Sequence, residues 1–329
     1  MRKKELVSFV VPCYNSSQTL PIVVQEIVCT MKEQLSEYNY EIILVNDCSP
    51  DETTYQVIKK LSEDNAHIRG IDLARNFGQP SAVMAGMNYS KGDYVVCGDD
   101  DGQTPFNELP ALFEKVKEGY DVVEARYIET EKKTLFRRIG TFMNEIMASW
   151  LINKPKGIVL TSYWIIRRYV ADEVMHYQNS YPYLGGLMMR ATKHVCNVEV
   201  AHRKRISGKS GYGFRKLLGL WLNGFTAFSV KPLRLTVVCG VIAAFIGIIT
   251  GVVTVIRKIL DPGIQAGYTS LLAVNLLLFG ILFVILGVLG EYVGRIYISL
   301  NNAPQFVVRH TVNIVQKDDD TCEKNENCS

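Results

Sequence analysis

The stretch Tyr94-Val95-Val96-Cys97-Gly98-Asp99-Asp100-Asp101-Gly102-Gln103 runs from four apolar residues straight into three adjacent carboxylates. A strand that stops abruptly in acids presents them at a sheet edge, where a divalent cation offsets their mutual repulsion. A solvated acidic turn is the alternative that these ten residues leave open.

The residues upstream decide the fold. Residues 6–11 are an apolar strand broken only by Ser8 and ended by Pro12-Cys13-Tyr14-Asn15. Residues 21–35 have helical spacing, with Ile22, Ile27 and Met31 among the apolar positions. A second strand, 41–45, precedes Asn46-Asp47-Cys48-Ser49-Pro50-Asp51 and a helix through Leu61; a third strand, 67–73, and a helix over 81–89 follow. Strands with little polar alternation, separated by helices, imply a parallel sheet covered on both faces. Ligands bind such sheets at the carboxyl ends of the strands, and there Asn15, Asp47, Asp51, Arg75, Asn76, Asp99 and Asp101 gather. For Asp47, a helix cap or an Asx-turn is an equal reading, since Ser49 and Asp51 are near. Beyond the acids, Thr104-Pro105 opens a helix to about Lys117, and 120–125 is a further strand ending at Arg126.

The chain has 329 residues, 48% of them apolar, with a formal net charge of +3. Its mean hydropathy of +0.07 is high for a purely soluble protein. Residues 235–256 and 269–290, the second with Asn275 inside it, are uncharged. Each would span about 33 Å as a helix, enough for a bilayer core of about 30 Å. No signal peptide precedes the first strand, so residues 1–212 are expected as a cytoplasmic domain. A juxtamembrane helix over 213–232, a hairpin over 233–297 and a cytoplasmic tail over 298–329 with a polar, disordered end would follow. Lys231, Arg234, Arg295 and Arg309 fit this orientation, whereas Arg257 and Lys258 oppose it. The amphipathic stretch 134–152 either packs on the domain or lies among lipid headgroups, and a second, 214–228, leads into the first span with Trp221, Phe225 and Phe228, the aromatic content of an interface. The eight cysteines form no Cys-x-x-Cys pair, so neither a zinc site nor a disulfide framework is indicated. Nothing implies a nucleic-acid partner.

With these residues in view, the chain resembles the inverting family 2 glycosyltransferases of GT-A fold, and among them the membrane-bound polyprenyl-phosphate glycosyltransferases. Val11-Pro12-Cys13-Tyr14-Asn15 resembles the family's opening motif, Val45 through Asp51 its second, and Arg75-Asn76-Phe77-Gly78-Gln79 its third. Gly98 through Gln103 followed by Pro105 resembles Asp-x-Asp-x-Gln-x-Pro, Arg205 through Tyr212 resembles Arg-x-x-Gly-x-Ser-x-Tyr, and Gly290 through Tyr297 resembles the end of the second span. Each motif alone is weak, but six in the right order are specific.

The resemblance implies an α/β domain with a mostly parallel, Rossmann-like sheet, followed by juxtamembrane and two transmembrane helices. It implies transfer of one sugar from a nucleotide sugar, UDP-linked rather than GDP-linked, to undecaprenyl (polyprenyl) phosphate at the cytoplasmic face of a bacterial-type inner membrane, by a homo-oligomer. Asp99, Asp101 and Gln103 would hold Mg²⁺ or Mn²⁺ against the diphosphate; Pro12, Tyr14, Asn15, Asp47 and Arg75 would bind the nucleotide, with Asp100 a turn residue or a secondary contact. Arg126, Arg137, Arg138, Lys209 and Ser210 would meet the lipid phosphate, and Arg205 would act in catalysis beside Asp99 and Asp101. Anchoring to anionic lipid is the other reading of the basic run 202–205. Two departures stand out: Ser16 replaces a common Glu, and Leu160-Thr161-Ser162-Tyr163-Trp164 stands where many relatives carry Asp-Phe-Arg with a proposed base. A phosphate acceptor softens the second, being already ionised near neutral pH. A glycosyltransferase with a hydroxyl acceptor, or a non-catalytic membrane protein keeping the fold, are the competing readings.

Overall fold

The computed structural model describes residues 4–128, 154–155, 157–180, 182–201, 203, 231–260, 267–301 and 303–314. The chain divides into two compact units, one comprising Met1–Thr141, Lys154–Ser210 and Pro304–Ser329, the other Phe142–Asn153 and Gly211–Ala303.

The first unit is built on one eight-stranded sheet of β1 (Leu6–Cys13), β2 (Asn39–Asn46), β3 (Ile68–Leu73), β4 (Tyr94–Cys97), β5 (Val122–Ile128), β6 (Trp164–Arg167), β7 (Val195–Ala201) and β8 (Val308–Val312). Its order is β7-β5-β6-β4-β1-β2-β3-β8. Strands β4, β1, β2 and β3 are mutually parallel; β6 runs antiparallel between β4 and β5, and β8 lies antiparallel along β3. The parallel sheet expected from the apolar runs is therefore present at the centre, with antiparallel additions on each side. Residue 126, expected at a strand end, lies inside β5, because β7 pairs alongside as far as Ile128.

Helices α1 (Leu20–Glu33), α2 (Glu52–Asp64) and α4 (Leu109–Lys117) cover one face of the sheet, and α3 (Gln79–Tyr89), α5 (Arg168–Met175) and α6 (Leu184–Ala191) belong to the other. Helix α1 turns Leu20, Val23, Val24, Ile27 and Met31 inwards, whereas Ile22 is half exposed. Residues 106–108 form a 3₁₀ turn, so α4 begins later than Thr104-Pro105 suggests.

Strand β1 is buried on both faces. Phe9, Val11 and Cys13 join the core shared with α1 and α4, while Val10 meets α3. Pro12 is accommodated in this central strand because β4 ends at Cys97, opposite Val10, before a ladder N–H is needed at residue 12. Ser8 is bound at the other end of the sheet: its hydroxyl donates to Glu41 Oε1 at 2.6 Å and accepts the Gly92 N–H at 2.8 Å.

Helix α3 rests on the sheet through Gly86. A Cβ there would stand 2.4 Å from Val10 Cγ1 and 3.1 Å from Val45 Cγ2. Gly86→Ala should therefore destabilise the domain by about 1–3 kcal/mol. Thermal unfolding in detergent checks this, and an unchanged midpoint would show that the helix shifts freely.

Glu124 is fully buried in β5. Its Oε2 accepts the Thr161 N–H at 2.9 Å and the Thr161 hydroxyl at 3.3 Å, while Oε1 has no partner. Desolvation pushes its carboxyl up to about 8, against the bonds from Thr161 and the charge of Lys154. The folded state thus holds a proton that the unfolded chain releases in the ordinary carboxylate range, so stability falls as pH rises through that window towards 8. Glu124→Gln mimics the protonated carboxyl and should remove this slope, matching the parent at low pH and exceeding it at pH 8. Melting curves at both pH values test the point; an equal loss at each would contradict a neutral carboxyl.

The second unit contains α7 (Lys231–Leu260) and α8 (Tyr268–Leu300). Both have stretches long and apolar enough to cross a membrane, Thr236–Val253 and Leu277–Gly294. A Cβ on Gly240 of α7 would lie 3.9 Å from Ile285 of α8. Residues 134–152 and 214–228, and the end of the 298–329 tail beyond residue 314, lie outside the described residues.

Candidate functional site

Four loops leave the carboxyl ends of β1, β2, β3 and β4 on one edge of the sheet, at the point where the chain order reverses about β1. Open α/β sheets bind ligands at this position.

The loop after β1 brings Tyr14, 49% exposed, and Asn15, which adopts φ 54°. The loop after β2 contains a second left-handed residue, Cys48 at φ 51°. The two loops are joined by Asn15, whose N–H donates to Ser49 Oγ at 3.1 Å. Ser16 is buried; its N–H donates to Thr54 Oγ1 at 3.0 Å and its carbonyl accepts the Leu20 N–H at 2.9 Å, starting α1.

Asp47 neither caps a helix nor closes an Asx-turn. Its Oδ1 and Oδ2 accept the Phe77 and Gly78 N–H groups at 2.7 and 2.8 Å, tying the second loop to the third. Asn46 takes the Asx role, accepting the Ser49 N–H at 3.2 Å, and Asp51 holds the cap position of α2. Burial raises the Asp47 carboxyl while the two N–H groups pull it back. In the third loop the Arg75 guanidinium stacks 4.6 Å above the Phe77 ring, with Arg75 exposed.

The three acids are each held by different chain segments. Asp99 Oδ1 accepts Gln79 Nε2 at 2.7 Å, and its Oδ2 accepts the Ser162 hydroxyl. Asp100 Oδ2 accepts the Tyr14 N–H at 2.9 Å, and its carbonyl accepts the Thr19 hydroxyl at 2.6 Å. Asp101 Oδ1 accepts the Gln103 N–H at 3.0 Å across Gly102, whose φ is 77°. Desolvation, with smaller contributions from the flanking carboxylates, raises Asp100 to about 6. Gly98 just before the acids is packed against Phe106: a Cβ there would stand 2.5 Å from the ring.

Gln103 Nε2 donates to the Arg203 carbonyl at 3.1 Å, which makes Oε1 the end of this amide suited to a cation. Two carboxylates and an amide oxygen are hard donors that suit Mg²⁺ or Mn²⁺, ions that take one or two carboxylates plus substrate phosphates. Among the described residues no group of three His, Cys, Asp or Glu forms a complete metal cage. The donor set therefore fits an ion shared with a diphosphate.

Several of these partners had little signal in the sequence. Gln79 lay inside a motif, but Ser162 and Thr161 were visible only as departures from a pattern, and Glu26 on α1 not at all. Arg203 forms an ion pair with Glu26 at 2.8 Å and also meets Asn107, so its side chain is engaged within the domain rather than left for lipid anchoring. Arg126 is exposed on β5, opposite Glu199 in register. Arg137, Arg138, Arg205, Lys209 and Ser210 lie outside the described residues.

Comparison with known proteins agrees with this geometry. Residues 8–175 match the family model for glycosyl transferase family 2, and residues 231–296 match that for the GtrB C-terminal hairpin. The undecaprenyl-phosphate 4-deoxy-4-formamido-L-arabinose transferase of Proteus mirabilis (strain HI4320) is 32% identical over 310 residues, 94% of either chain. The uncharacterized glycosyltransferase YkcC of Bacillus subtilis (strain 168) is 31% identical over 312 residues, covering 94% of this chain and 95% of its own. Mannosyl-3-phosphoglycerate synthase from Rubrobacter xylanophilus shares the fold, with a TM-score of 0.50 at 18% identity over 70% of this chain and 74% of that one. Motifs, sheet and relatives agree: the chain belongs to glycosyl transferase family 2, with a GT-A domain followed by a GtrB-type hairpin.

Proposed function

We propose that this glycosyltransferase moves a single sugar, with inversion, from a nucleotide sugar to undecaprenyl or another polyprenyl phosphate at the cytoplasmic face of the inner membrane. A UDP-linked donor is favoured over a GDP-linked one, and the working form is a homo-oligomer. The observation that carries the reading is that Tyr14 after β1 and Gln79 after β3 reach Asp100 and Asp99, while Asp47 ties the loop after β2 to that third loop, in a chain that continues into two apolar helices. The names of relatives similar along nearly their whole length support the acceptor class.

Each residue then has a task. Pro12, Tyr14, Asn15, Asp47 and Arg75 bind the nucleotide, with Asp100 tying Tyr14 to the acidic turn. Asp99, Asp101 and Gln103 would hold Mg²⁺ or Mn²⁺, which when bound supplies positive charge to the departing diphosphate. Arg126, Arg137, Arg138, Arg205, Lys209 and Ser210 attract and orient the acceptor phosphate, since arginine forks match phosphate oxygens. A phosphate oxygen is already charged near neutral pH, so the in-line attack needs no proton removed by the protein. Ser162 accords with this: its hydroxyl donates to Asp99 and thus orients a carboxylate instead of acting as a base.

Purified protein given undecaprenyl phosphate, Mg²⁺ or Mn²⁺ and a panel of UDP- and GDP-sugars should yield a lipid product heavier by one sugar, and chelation should stop its formation. Asp101→Asn should lower transfer by about 100-fold or more, the scale on which removal of transition-state charge stabilisation is felt, and Asp100→Asn should be milder. Equal losses would mean that the metal register is misassigned. No transfer and no nucleotide binding with any donor would defeat the catalytic reading.

A further inference from the structure

Strand β8 follows the second apolar helix in sequence and pairs with β3, yet one of its residues is connected to the nucleotide loops on the same sheet. The β3–β8 ladder pairs Asp72 with His310 and Leu73 with Val308, so the register slips and Arg309 is the extra residue between them. Bulges of this kind re-aim a side chain. Here the Arg309 guanidinium reaches Asp72, which is fully buried: Nε donates to Oδ2 at 2.7 Å, and Nη2 forms an ion pair with the same oxygen at 2.7 Å.

The contact continues inwards. Asp72 Oδ1 accepts Asn46 Nδ2 at 2.7 Å. That bond fixes the orientation of the Asn46 amide, leaving its Oδ1 to accept the Ser49 hydroxyl at 2.6 Å and the Ser49 N–H at 3.2 Å. Ser49 Oγ in turn accepts the Asn15 N–H at 3.1 Å. The chain of bonds therefore ends at Asn15, and it brackets Cys48, the two non-glycine residues of these loops held at positive φ. Side chains rarely adopt this conformation without surrounding restraint.

We propose that Arg309 is a positioning residue for the nucleotide pocket, acting through Asp72, Asn46 and Ser49 on the backbone of Asn15. The inference rests on the reading of these loops as the nucleotide site. Arg309 is separable from the attachment of β8 itself. Asn313 Nδ2 donates to the Ile68 carbonyl at 2.7 Å and the Ala66 carbonyl at 3.2 Å, and the His310 ring stacks on Tyr55 with centroids 6.4 Å apart. Loss of the guanidinium leaves the buried Asp72 carboxylate with its Asn46 bond alone, so the amide of Asn46 becomes free to turn and Ser49 loses its orientation.

The test uses the full-length protein in detergent, with UDP and GDP as calorimetric probes and a steady-state assay for both substrates. Arg309→Ala should weaken nucleotide binding and raise the KM for the sugar donor by roughly tenfold, within the usual span of coupling between sites. The kcat and the KM for the lipid phosphate should stay within about twofold, and Arg309→Lys should restore part of the loss. Ser49→Ala should resemble Arg309→Ala, and the double variant should be no worse than either, because both break one chain. A folded Arg309→Ala with parental nucleotide affinity would overturn the proposal, as would additive effects of the two substitutions or a loss confined to kcat. If Arg309→Ala does not fold, Arg309→Lys with Ser49→Ala decides by the same additivity criterion. A parent protein that binds neither nucleotide would remove the pocket reading and this inference together; a parent that binds while Arg309→Ala is unaffected removes only the inference.

Discussion

Three successive carboxylates at the end of one strand repel one another, and the site is arranged around that repulsion. Each acid receives its own hydrogen-bond donor from a different place: Asp99 from Gln79 and Ser162, Asp100 from the backbone at Tyr14, Asp101 from the backbone at Gln103. Donors to a carboxylate favour its charged form. They also fix where the loops stand, because a loop that supplies a donor must come within about 3 Å of the turn. The first loop, the start of α3 and the segment before β6 meet at the edge of β4 for this reason. The close packing of Gly98 on Phe106 keeps the turn from receding.

The central architecture was legible because burial on both faces leaves a plain trace: β1, β2 and β4 are apolar runs, and helical spacing separates them. The antiparallel members left less. Strand β6 has four residues, too few for a period to appear, and β8 reads Val-Arg-His-Thr-Val, whose exposed middle resembles a loop. A tail expected to follow the second span instead contributes a sheet edge, since pairing with β3 depends on partners some 235 residues away in sequence. In the site, the acids and Asp47 could be singled out from residue type and placement at strand ends. What Asp47 binds could not, because Asn46, Asp47, Ser49 and Asp51 are all able to cap or turn, and only the third loop's position selects among them. Ser162 was noticed as a substitution; its bond to Asp99 follows from the antiparallel pairing of β6 on β4, which no local pattern encodes.

On the proposed reading, the departure at Ser162 and the nature of the acceptor belong together. A hydroxyl acceptor must lose a proton as it attacks, and a serine that is donating to a carboxylate does not take one. A phosphate brings its charge with it, and the demand on the protein moves from basicity to the disposition of cations. Arginine, which stays protonated at any physiological pH, is suited to that demand. Glu124, two residues from Arg126 in β5, has its carboxyl pushed up by burial, against the charge of Lys154.

The position of β8 in the chain also orders how the molecule is made. Its partner β3 is complete by Leu73, but β8 begins at Val308, after both apolar helices. At typical synthesis rates the edge of β3 stands unpaired for roughly ten to fifty seconds while the intervening residues are added. An unpaired strand edge is a template for association with other chains. Both apolar helices are added within that interval, so the sheet closes its last edge only after the whole hairpin has been synthesised.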